Sequence, residues 1–274
     1  MTAKLRRALT LASVLAISCS AQQLEVALVS EPLLRARLEG GLVAQRQRQS
    51  AVTQLFRDAG CPAEEQPVDK KSGNVICRLP GLTSSTIVVG GHYDFADLGN
   101  GIVDDWSGSS MLASLYQAAK EGTHQHTYVF IAFAKEERGL VGSSHNVKSL
   151  TREQKADVRA FVNLECLGMA SAKVWLSRAN RELATRIAEV ASSLGISLQG
   201  VNVDGVGDDD SHPFLSAHLP VITIHSVTQD NLSILHSRSD RLSAVKFDDY
   251  YATYKLIAFY LAYLDLKLTD NRHK

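Results

Sequence analysis

The stretch Ser85-Thr-Ile-Val-Val-Gly-Gly-His92-Tyr-Asp94 tells most about the architecture of this chain. Ile87-Val88-Val89 is an unbroken β-branched run, and such runs are typical of a strand that is covered on both faces. His92 and Asp94 stand where the run ends. If the strand continues to Asp94, both polar side chains lie on one face, because side chains alternate along a strand. We predict a buried strand that brings a histidine and a carboxylate to one edge of a sheet.

The same change from a hydrophobic run to polar residues recurs along the chain, with helical patterns between the runs. Further strands are predicted at 74–79, 128–133, 158–164, 173–176 and 221–224, and helices at 24–59 with a break at Gly40-Gly41, 110–120, 180–194 and 243–266. Strands that alternate with helices indicate an α/β protein. We expect a three-layer α/β/α sandwich around a mostly parallel or mixed central sheet, with a site at the carboxyl ends of its strands.

The composition is that of one globular domain. The chain has 274 residues, 45% of them hydrophobic, and its basic and acidic residues are equal in number at 29 each. No linker or charge run divides it, so we expect a single domain over 22–274. The balanced charge supplies no basic patch for phosphates, so we expect no nucleic-acid partner. We expect a monomer.

The N-terminus resembles a secretory signal peptide, which we place at residues 1–20. Basic residues precede an apolar run at 9–17 that is too short to span a bilayer, and small residues follow. Two hypotheses about its cleavage remain. Either the chain is cleaved after Ser20 or Ala21, or the segment is a lipoprotein signal that ends before an acylated Cys19. Both predict export to the periplasm or the medium, and only the second predicts a lipid anchor in a membrane.

Export permits a disulfide bond. Cys61 follows a helical segment and Cys77 lies in the next predicted strand. We expect a Cys61–Cys77 disulfide, which leaves Cys166 as a free and buried thiol. Because Cys166 stands beside Glu165, it either packs in the core alone or also touches the site.

Five short segments carry residue types that bind metal ions or transfer protons. They are His92-Tyr93-Asp94, Asp104-Asp105, Glu136-Glu137, Glu165 and His236. Singly, each has a structural alternative, such as a local hydrogen bond or a helix cap at Asp104-Asp105. Together, imidazoles and carboxylates at strand ends favour a zinc site. The side chains of Glu136 and Glu137 diverge, so one can bind metal while the other serves as general base.

Six ordered motifs resemble the secreted two-zinc aminopeptidases, a metallopeptidase family that includes glutamate carboxypeptidases and glutaminyl cyclases. The motifs read Gly90-Gly-His92-Tyr-Asp94, Gly101-Ile-Val-Asp104-Asp-Trp-Ser-Gly108, Glu136-Glu-Arg-Gly-Leu-Val-Gly-Ser143, Asn163-Leu-Glu165-Cys-Leu-Gly168, Asp209-Asp-Ser-His-Pro-Phe214 and Leu235-His-Ser-Arg-Ser-Asp240. The resemblance implies a zinc-dependent aminopeptidase that acts on peptides with a free N-terminus.

The resemblance also implies roles for single residues. The implied ligands of two zinc ions are His92, Asp104, Glu137, Glu165 and His236, of which Asp104 is shared between the ions. Glu136 is the implied general base, and Asp94 is expected to orient His92. We expect substrate contacts at Asp210, His212 and Asp240, the last of which alternatively supports His236.

Two departures from the family pattern leave alternatives open. The family usually has aspartate at the position of Glu165, and the extra methylene extends the carboxylate by about 1.5 Å. Either a shifted backbone restores the ligand, or one of the two zinc ions is lost. Leu235 replaces an aromatic residue that is common there, which affects substrate contacts. The rival functions are a single-zinc glutaminyl cyclase and a non-catalytic binding protein of the same fold.

Overall fold

The computed structural model of the chain describes residues 13–19 and 22–268. The strands are β1 (Ser13–Cys19), β2 (Gln22–Leu28), β3 (Glu64–Pro67), β4 (Gly73–Leu79), β5 (Thr86–His92), β6 (Thr127–Phe133), β7 (Val158–Glu165), β8 (Lys173–Val174), β9 (Gln199–Gly200) and β10 (Val221–His225). The helices are α1 (Glu31–Glu39), α2 (Arg48–Asp58), α3 (Ser107–Ala119), α4 (Val141–Ser149), α5 (Arg152–Asp157), α6 (Arg181–Leu194), α7 (Ser211–Ser216) and α8 (Phe247–Lys267).

Strands β3 to β10 form one mixed sheet in the order β3-β4-β6-β5-β7-β10-β8-β9. Its four central strands, β6, β5, β7 and β10, run parallel, whereas β3 and β4 add antiparallel pairings at one side. This arrangement confirms the predicted mixed sheet.

Helices cover both faces of the sheet, as predicted. Along β5, the side chains of Ile87 and Val89 join a core beneath α1, α2, α3, α6 and α8, and Val88 joins a second core with α4 and α7. All three residues are at most 5% exposed, which explains their unbroken apolar run. The eight strands and the two helical layers form a three-layer α/β/α sandwich.

The predicted boundaries differ most near the N-terminus. We predicted a helix from residue 24, but residues 24–28 belong to β2 and the first helix begins at Glu31. The apolar residues Leu24, Val26 and Leu28 recur with a period of two, which is the period of a strand and not of a helix. The predicted closing helix begins at Phe247 instead of 243, after a short turn.

Part of the predicted leader peptide falls outside the described residues, namely 1–12 and 20–21. Ser13–Cys19 forms β1 and pairs antiparallel with β2. A disulfide joins Cys61, which follows α2, to Cys77 in β4. Within residues 13–19 and 22–268, no helix has the length and apolar character needed to cross a membrane.

Candidate metal centre

The carboxyl ends of three neighbouring strands supply the first part of the site. His92 ends β5, Glu165 ends β7, and Glu136 and Glu137 form a tight turn just after β6. Because β6, β5 and β7 are parallel neighbours, these ends meet at one edge of the sheet. The buried strands therefore place four polar side chains within reach of one another.

Two loops complete the site from above this edge. Asp104 lies in the segment Ile102–Trp106, which leads directly into α3. The peptide bond between Asp104 and Asp105 is cis. His236 lies in the long connection between β10 and α8. All five predicted ligands are thus brought together.

Asp104 is shared between two groups of donors. Its Oδ1 lies 3.2 Å from Nε2 of His92, and its Oδ2 lies 3.1 Å from Nε2 of His236. On the first side, Oε1 of Glu165 lies 3.6 Å from the His92 nitrogen. On the second side, Oε2 of Glu137 lies 3.2 Å from the His236 nitrogen. In each group of three, the donor atoms lie within 4.8 Å of one another.

The donor chemistry fits divalent metal ions. Nε2 of His92 and Oε1 of Glu137 are buried and have no hydrogen-bond partner among the residues that the structure describes. Such orphaned polar atoms are rare, because their burial is costly unless a partner compensates for it. Imidazole nitrogens and carboxylate oxygens are ordinary ligands of zinc and similar metals. A cation in each group would give these atoms the partner that the protein does not supply.

The electrostatics of the cluster also favour bound positive charge. Burial raises the pKa of Glu137 to about 7, and the neighbouring Asp104 adds to the rise. A hydrogen bond to Asp104 raises the pKa of His236 to about 9. Burial likewise raises the pKa of Glu165. A cation beside Glu137 and Glu165 would favour their ionised forms, because opposite charge lowers the pKa of a carboxyl group.

Glu136 lies beside the donors but belongs to neither group. Its Oε2 is 3.7 Å from Nε2 of His92, and its side chain is only 12% exposed. Burial raises the pKa of Glu136 well above its ordinary value, although His92 opposes the rise. A metal ion nearby would also oppose it, because opposite charge favours the carboxylate. The carboxylate of Glu136 therefore lies beside His92 and outside both groups of three donors.

Asp94 acts differently from the prediction. Nδ1 of His92 pairs at 3.0 Å with the main-chain carbonyl of Asp94, and the carboxylate lies farther away at 3.6 Å. The carboxylate instead accepts the amide N–H groups of Glu136 and Glu137 at 3.0 and 3.3 Å. Asp94 therefore fixes the imidazole through its main chain and the turn after β6 through its side chain.

Asp105 is a supporting residue whose contacts the sequence did not reveal. Its fully buried carboxylate accepts main-chain N–H groups of His92 at 3.2 Å, Gly108 at 3.0 Å and Cys166 at 3.1 Å. These groups belong to the end of β5, the start of α3 and the residue after β7. The contact with Gly108 at the start of α3 is thus one of three main-chain contacts of Asp105, and the sequence signalled this residue only by its adjacency to Asp104.

Left-handed backbone occurs at several residues of the site. Lys135, Cys166 and His236 have φ values of 58°, 49° and 53°. A residue with a side chain adopts this conformation at a cost, and such residues cluster at functional sites. Lys135 precedes Glu136 and Cys166 follows Glu165, so left-handed backbone flanks two acids of the site.

The three residues that we expect to contact substrate differ in burial and in their protein partners. Asp240 is buried, and its carboxylate accepts the amide N–H groups of Val103 and Asp104 at 2.7 and 3.3 Å. It therefore supports the loop of Asp104. Nδ1 of His212 lies 3.2 Å from Oδ1 of Asp208, and both side chains are about half exposed. Asp210 is completely buried, where burial raises its pKa to about 8. Substrate contact at these three residues stays a prediction.

A cavity of about 360 Å³ opens directly beside the donors. Its lining includes the polar residues Asp104, Glu136, Glu137, Glu165 and His236. Six apolar residues, which we call the apolar wall, also line it, namely Trp175, Val203, Val206, Val227, Leu232 and Leu235, and Asp208, Asp209, Thr223 and His225 add further polar groups. Cys166 lines the same cavity, and its Sγ is 3.3 Å from Oε1 of Glu165. The free thiol thus packs in the core and also touches the site.

Comparison with known proteins identifies the family. The profile of peptidase family M28 matches residues 74–261. Leupeptin-inactivating enzyme 1 of Streptomyces exfoliatus is 26% identical over 151 residues, which cover 54% of this chain and 34% of that enzyme. The chain thus spans about a third of the length of that relative.

Solved structures share the fold. The LapA aminopeptidase of Legionella pneumophila has a TM-score of 0.78 at 19% identity, over 88% of this chain and 73% of that one. A glutaminyl cyclase of Porphyromonas gingivalis has a TM-score of 0.68 at 14% identity, over 84% of this chain and 96% of that one. With the profile match over more than half of its length, this chain belongs to peptidase family M28.

Proposed function

We propose that the protein is an exported zinc aminopeptidase that removes N-terminal residues from peptides. The observation that carries the proposal is the position of Asp104, which faces a separate donor group with each of its two oxygens. Carboxylate bridges of this kind suit two metal ions that act together on one substrate. The names of the relatives, among them aminopeptidases, support the same activity.

The roles of the residues follow from their places in the cavity. When bound, zinc polarises a carbonyl group and lowers the pKa of water to about 7. Glu136 takes a proton from the attacking water and delivers it to the leaving amine. Carboxylates close to the metal ions attract the ammonium group of a peptide N-terminus, which limits cleavage to the first residue.

The apolar wall supports a preference for apolar N-terminal residues. The polar residues His225 and Asp209 beside this wall already form hydrogen bonds with other protein groups, so they are not free to bind a charged side chain of the substrate. His225 binds the carbonyl of Val201 through Nε2 and the amide of Val227 through Nδ1. The carboxylate of Asp209 accepts hydrogen bonds from Ser211 and Thr223. Burial lowers the pKa of His225 to about 4, so this ring is neutral at pH 7.

A panel of aminoacyl amides on protein of measured zinc content tests the proposal. We expect leucyl, methionyl and phenylalanyl amides to have a higher kcat/KM than lysyl or glutamyl amides. No hydrolysis of any of them by the zinc-loaded protein would refute the aminopeptidase. Hydrolysis with lysyl or glutamyl amides preferred would refute the apolar pocket alone.

A matched pair of variants tests the wall itself. Leu232 lines the cavity and is 37% exposed, whereas Leu215 lies on α7 away from it and is 38% exposed. L232D should lower kcat/KM for leucyl amides and raise the lysyl-to-leucyl ratio, because it places a negative charge at the mouth of the cavity. L215D should leave both unchanged. Equal effects of the two substitutions would exclude a specific role for the wall.

A glutaminyl cyclase is the second candidate function. The cyclase of P. gingivalis is matched over 96% of its length, more fully than LapA at 73%. The two complete donor groups favour the peptidase over a single-zinc enzyme. One tightly bound zinc ion together with cyclisation of N-terminal glutamine would establish the cyclase instead.

Export is part of the proposal. The basic and apolar N-terminal pattern and the Cys61–Cys77 disulfide support it. Loss of residues 1–20 would remove β1, but Val26 and Leu28 of β2 are buried in the main core and would hold β2 in place. N-terminal sequencing and mass measurement of the protein from its host would distinguish plain cleavage from acylation of Cys19. An intact Met1 would refute export by this route.

A further inference from the structure

The N-terminal helices lie outside the segment that matches the family, yet they touch the loop of the metal centre. The family match begins at residue 74, and α1 and α2 end before it. Arg48 is the first residue of α2 and is completely buried. Its guanidinium group points to the turn that leads into Asp104.

The contacts of Arg48 hold this turn on both sides of Asp104. Nη1 donates to the carbonyl of Gly101 at 3.2 Å, and Nη2 donates to the carbonyls of Gly101 at 3.3 Å and of Asn100. The guanidinium also lies over the rings of Phe95 and Trp106, at 4.7 and 4.8 Å from their centroids. Asn100 and Gly101 precede Asp104, and Trp106 follows it closely.

The turn is irregular and depends on outside support. Gly99 and Gly101 have φ values of 85° and 54°, and a Cβ atom on Gly101 would lie 2.1 Å from Cβ of Phe95. Asp240 supports the turn from the other side by accepting the amides of Val103 and Asp104. Arg48 holds the carbonyls of the turn and Asp240 holds its amides.

Arg48 remains charged in this place. Burial lowers the pKa of Arg48 to about 10, and Asp240, Asp105 and Asp94 oppose the lowering. The guanidinium is therefore protonated at neutral pH. Its planar fork suits two adjacent carbonyl oxygens, which a single ammonium group satisfies less well.

We propose that Arg48 is a positioning residue for the metal centre, which places Asp104 correctly for the two cations by holding the carbonyls of Asn100 and Gly101. Groups that orient the ligands of a metal contribute about 10–100-fold to its affinity. The inference deepens the proposed function, because it assumes that the donor groups bind metal, but it does not depend on which reaction follows.

Zinc affinity of the full chain tests the proposal, by competition with a chromophoric chelator. In R48Q we expect the affinity for zinc to fall by about 10–100-fold for at least one of the ions. R48K should lie between R48Q and the wild type, because it keeps the charge and loses the fork. The matched control is R37Q. Arg37 is also buried, but its guanidinium binds Ser114 and Gln117 of α3 and not the turn.

Thermal unfolding of each variant separates positioning from stability. R37Q is expected to lower Tm without changing zinc affinity. If R48Q lowers Tm but binds zinc as the wild type does, Arg48 is merely structural and the proposal is overturned. If R48Q does not fold, the zinc affinity of R48K is the test, and an affinity of R48K equal to that of the wild type overturns the proposal. A wild type that binds zinc but hydrolyses no aminoacyl amide would refute the proposed function and leave the zinc comparison valid.

Discussion

Replacement of Glu136 by glutamine tests the assigned general base most directly. The change keeps the shape of the side chain and removes only its ability to accept a proton. The wild-type side chain is 12% exposed, so bulk water has little access to take over its role. Loss of a positioned base costs about 10²–10⁴-fold in rate, which corresponds to about 3–5 kcal/mol of activation free energy. We expect kcat of E136Q to fall by this factor.

The metal should stay bound in E136Q, because Glu136 belongs to neither donor group. E136D adds a second measure, since it keeps the carboxylate but retracts it by about 1.5 Å. A misplacement of about 1 Å can cost about 10²-fold, so E136D should also be slow. The control is E153Q, the same chemical change at an exposed position on α5.

The assay is steady-state hydrolysis of a leucyl amide at saturating substrate, with zinc measured by elemental analysis in the same samples. Zinc content should match the wild type in all three variants, and E153Q should retain full turnover. Turnover of E136Q within tenfold of the wild type, with zinc bound, would refute the assignment of the base. A loss of zinc that accompanies the loss of activity would show that Glu136 is a ligand.

Three further predictions follow from the surroundings of the site. E165A should lower the zinc content from two ions per chain to one, by removing a donor from the group that contains His92, whereas E165D should keep both; equal zinc content in E165A and the wild type would exclude Glu165 as a ligand. Burial lowers the pKa of His225 to about 4 in the folded chain, whereas the pKa of histidine in the unfolded chain is about 6.5. Between these two pH values the unfolded chain therefore binds more protons than the folded chain. The free energy of unfolding falls as the pH drops from 6.5 to 4. The neutral ring of His225 contributes at most about 3 kcal/mol to the free energy of unfolding. H225L should reduce the dependence of this free energy on pH, measured by urea unfolding of the chelator-treated protein, and an unchanged dependence would contradict the low pKa. Replacement of both Cys61 and Cys77 by alanine opens a loop of 16 residues and should lower the free energy of unfolding by about 3 kcal/mol, with no change in the leucyl-amide kcat; an unchanged urea midpoint would show that the bond contributes nothing.

Local patterns in the chain were enough to predict the central strands and the edge of the sheet at which the site lies, whereas the resemblance to the two-zinc aminopeptidases implied which residues are the donors. The β-branched run at Ile87-Val88-Val89 has both faces covered, and the polar residues after each run lie at the carboxyl edge of the sheet. These predictions depend only on neighbouring residues, since a strand buried on both faces needs apolar side chains at every position. The helix at 180–194 was equally clear, because Asn180 caps it and Gly195 ends it.

Local patterns gave a wrong element where two periods overlap, and they do not determine the partner of a polar residue that has several candidates. Residues 24–28 lie in β2 although helical residues follow closely. Asp240 and His212 both stand in motifs of the site, but the carboxylate of the first accepts the amide of Val103 and the ring of the second pairs with Asp208. A polar side chain binds the nearest suitable partner in space, and its neighbours along the chain do not reveal that partner.

The chain's own motifs thus determined the mixed sheet, the edge at which the site lies and the five candidate ligands. The resemblance implied a shared Asp104 and a separate base at Glu136, but only the folded structure gave the distances that place Asp104 between His92 and His236 and Glu136 outside both donor groups. The folded structure also revealed Arg48, which lies 56 positions before Asp104 in the chain and binds the carbonyl of Gly101 in the turn that leads to Asp104. The sequence does not reveal such contacts because hydrogen bonds and metal coordination act over about 3 Å. Only the packing of distant helices and strands brings their donor and acceptor groups that close.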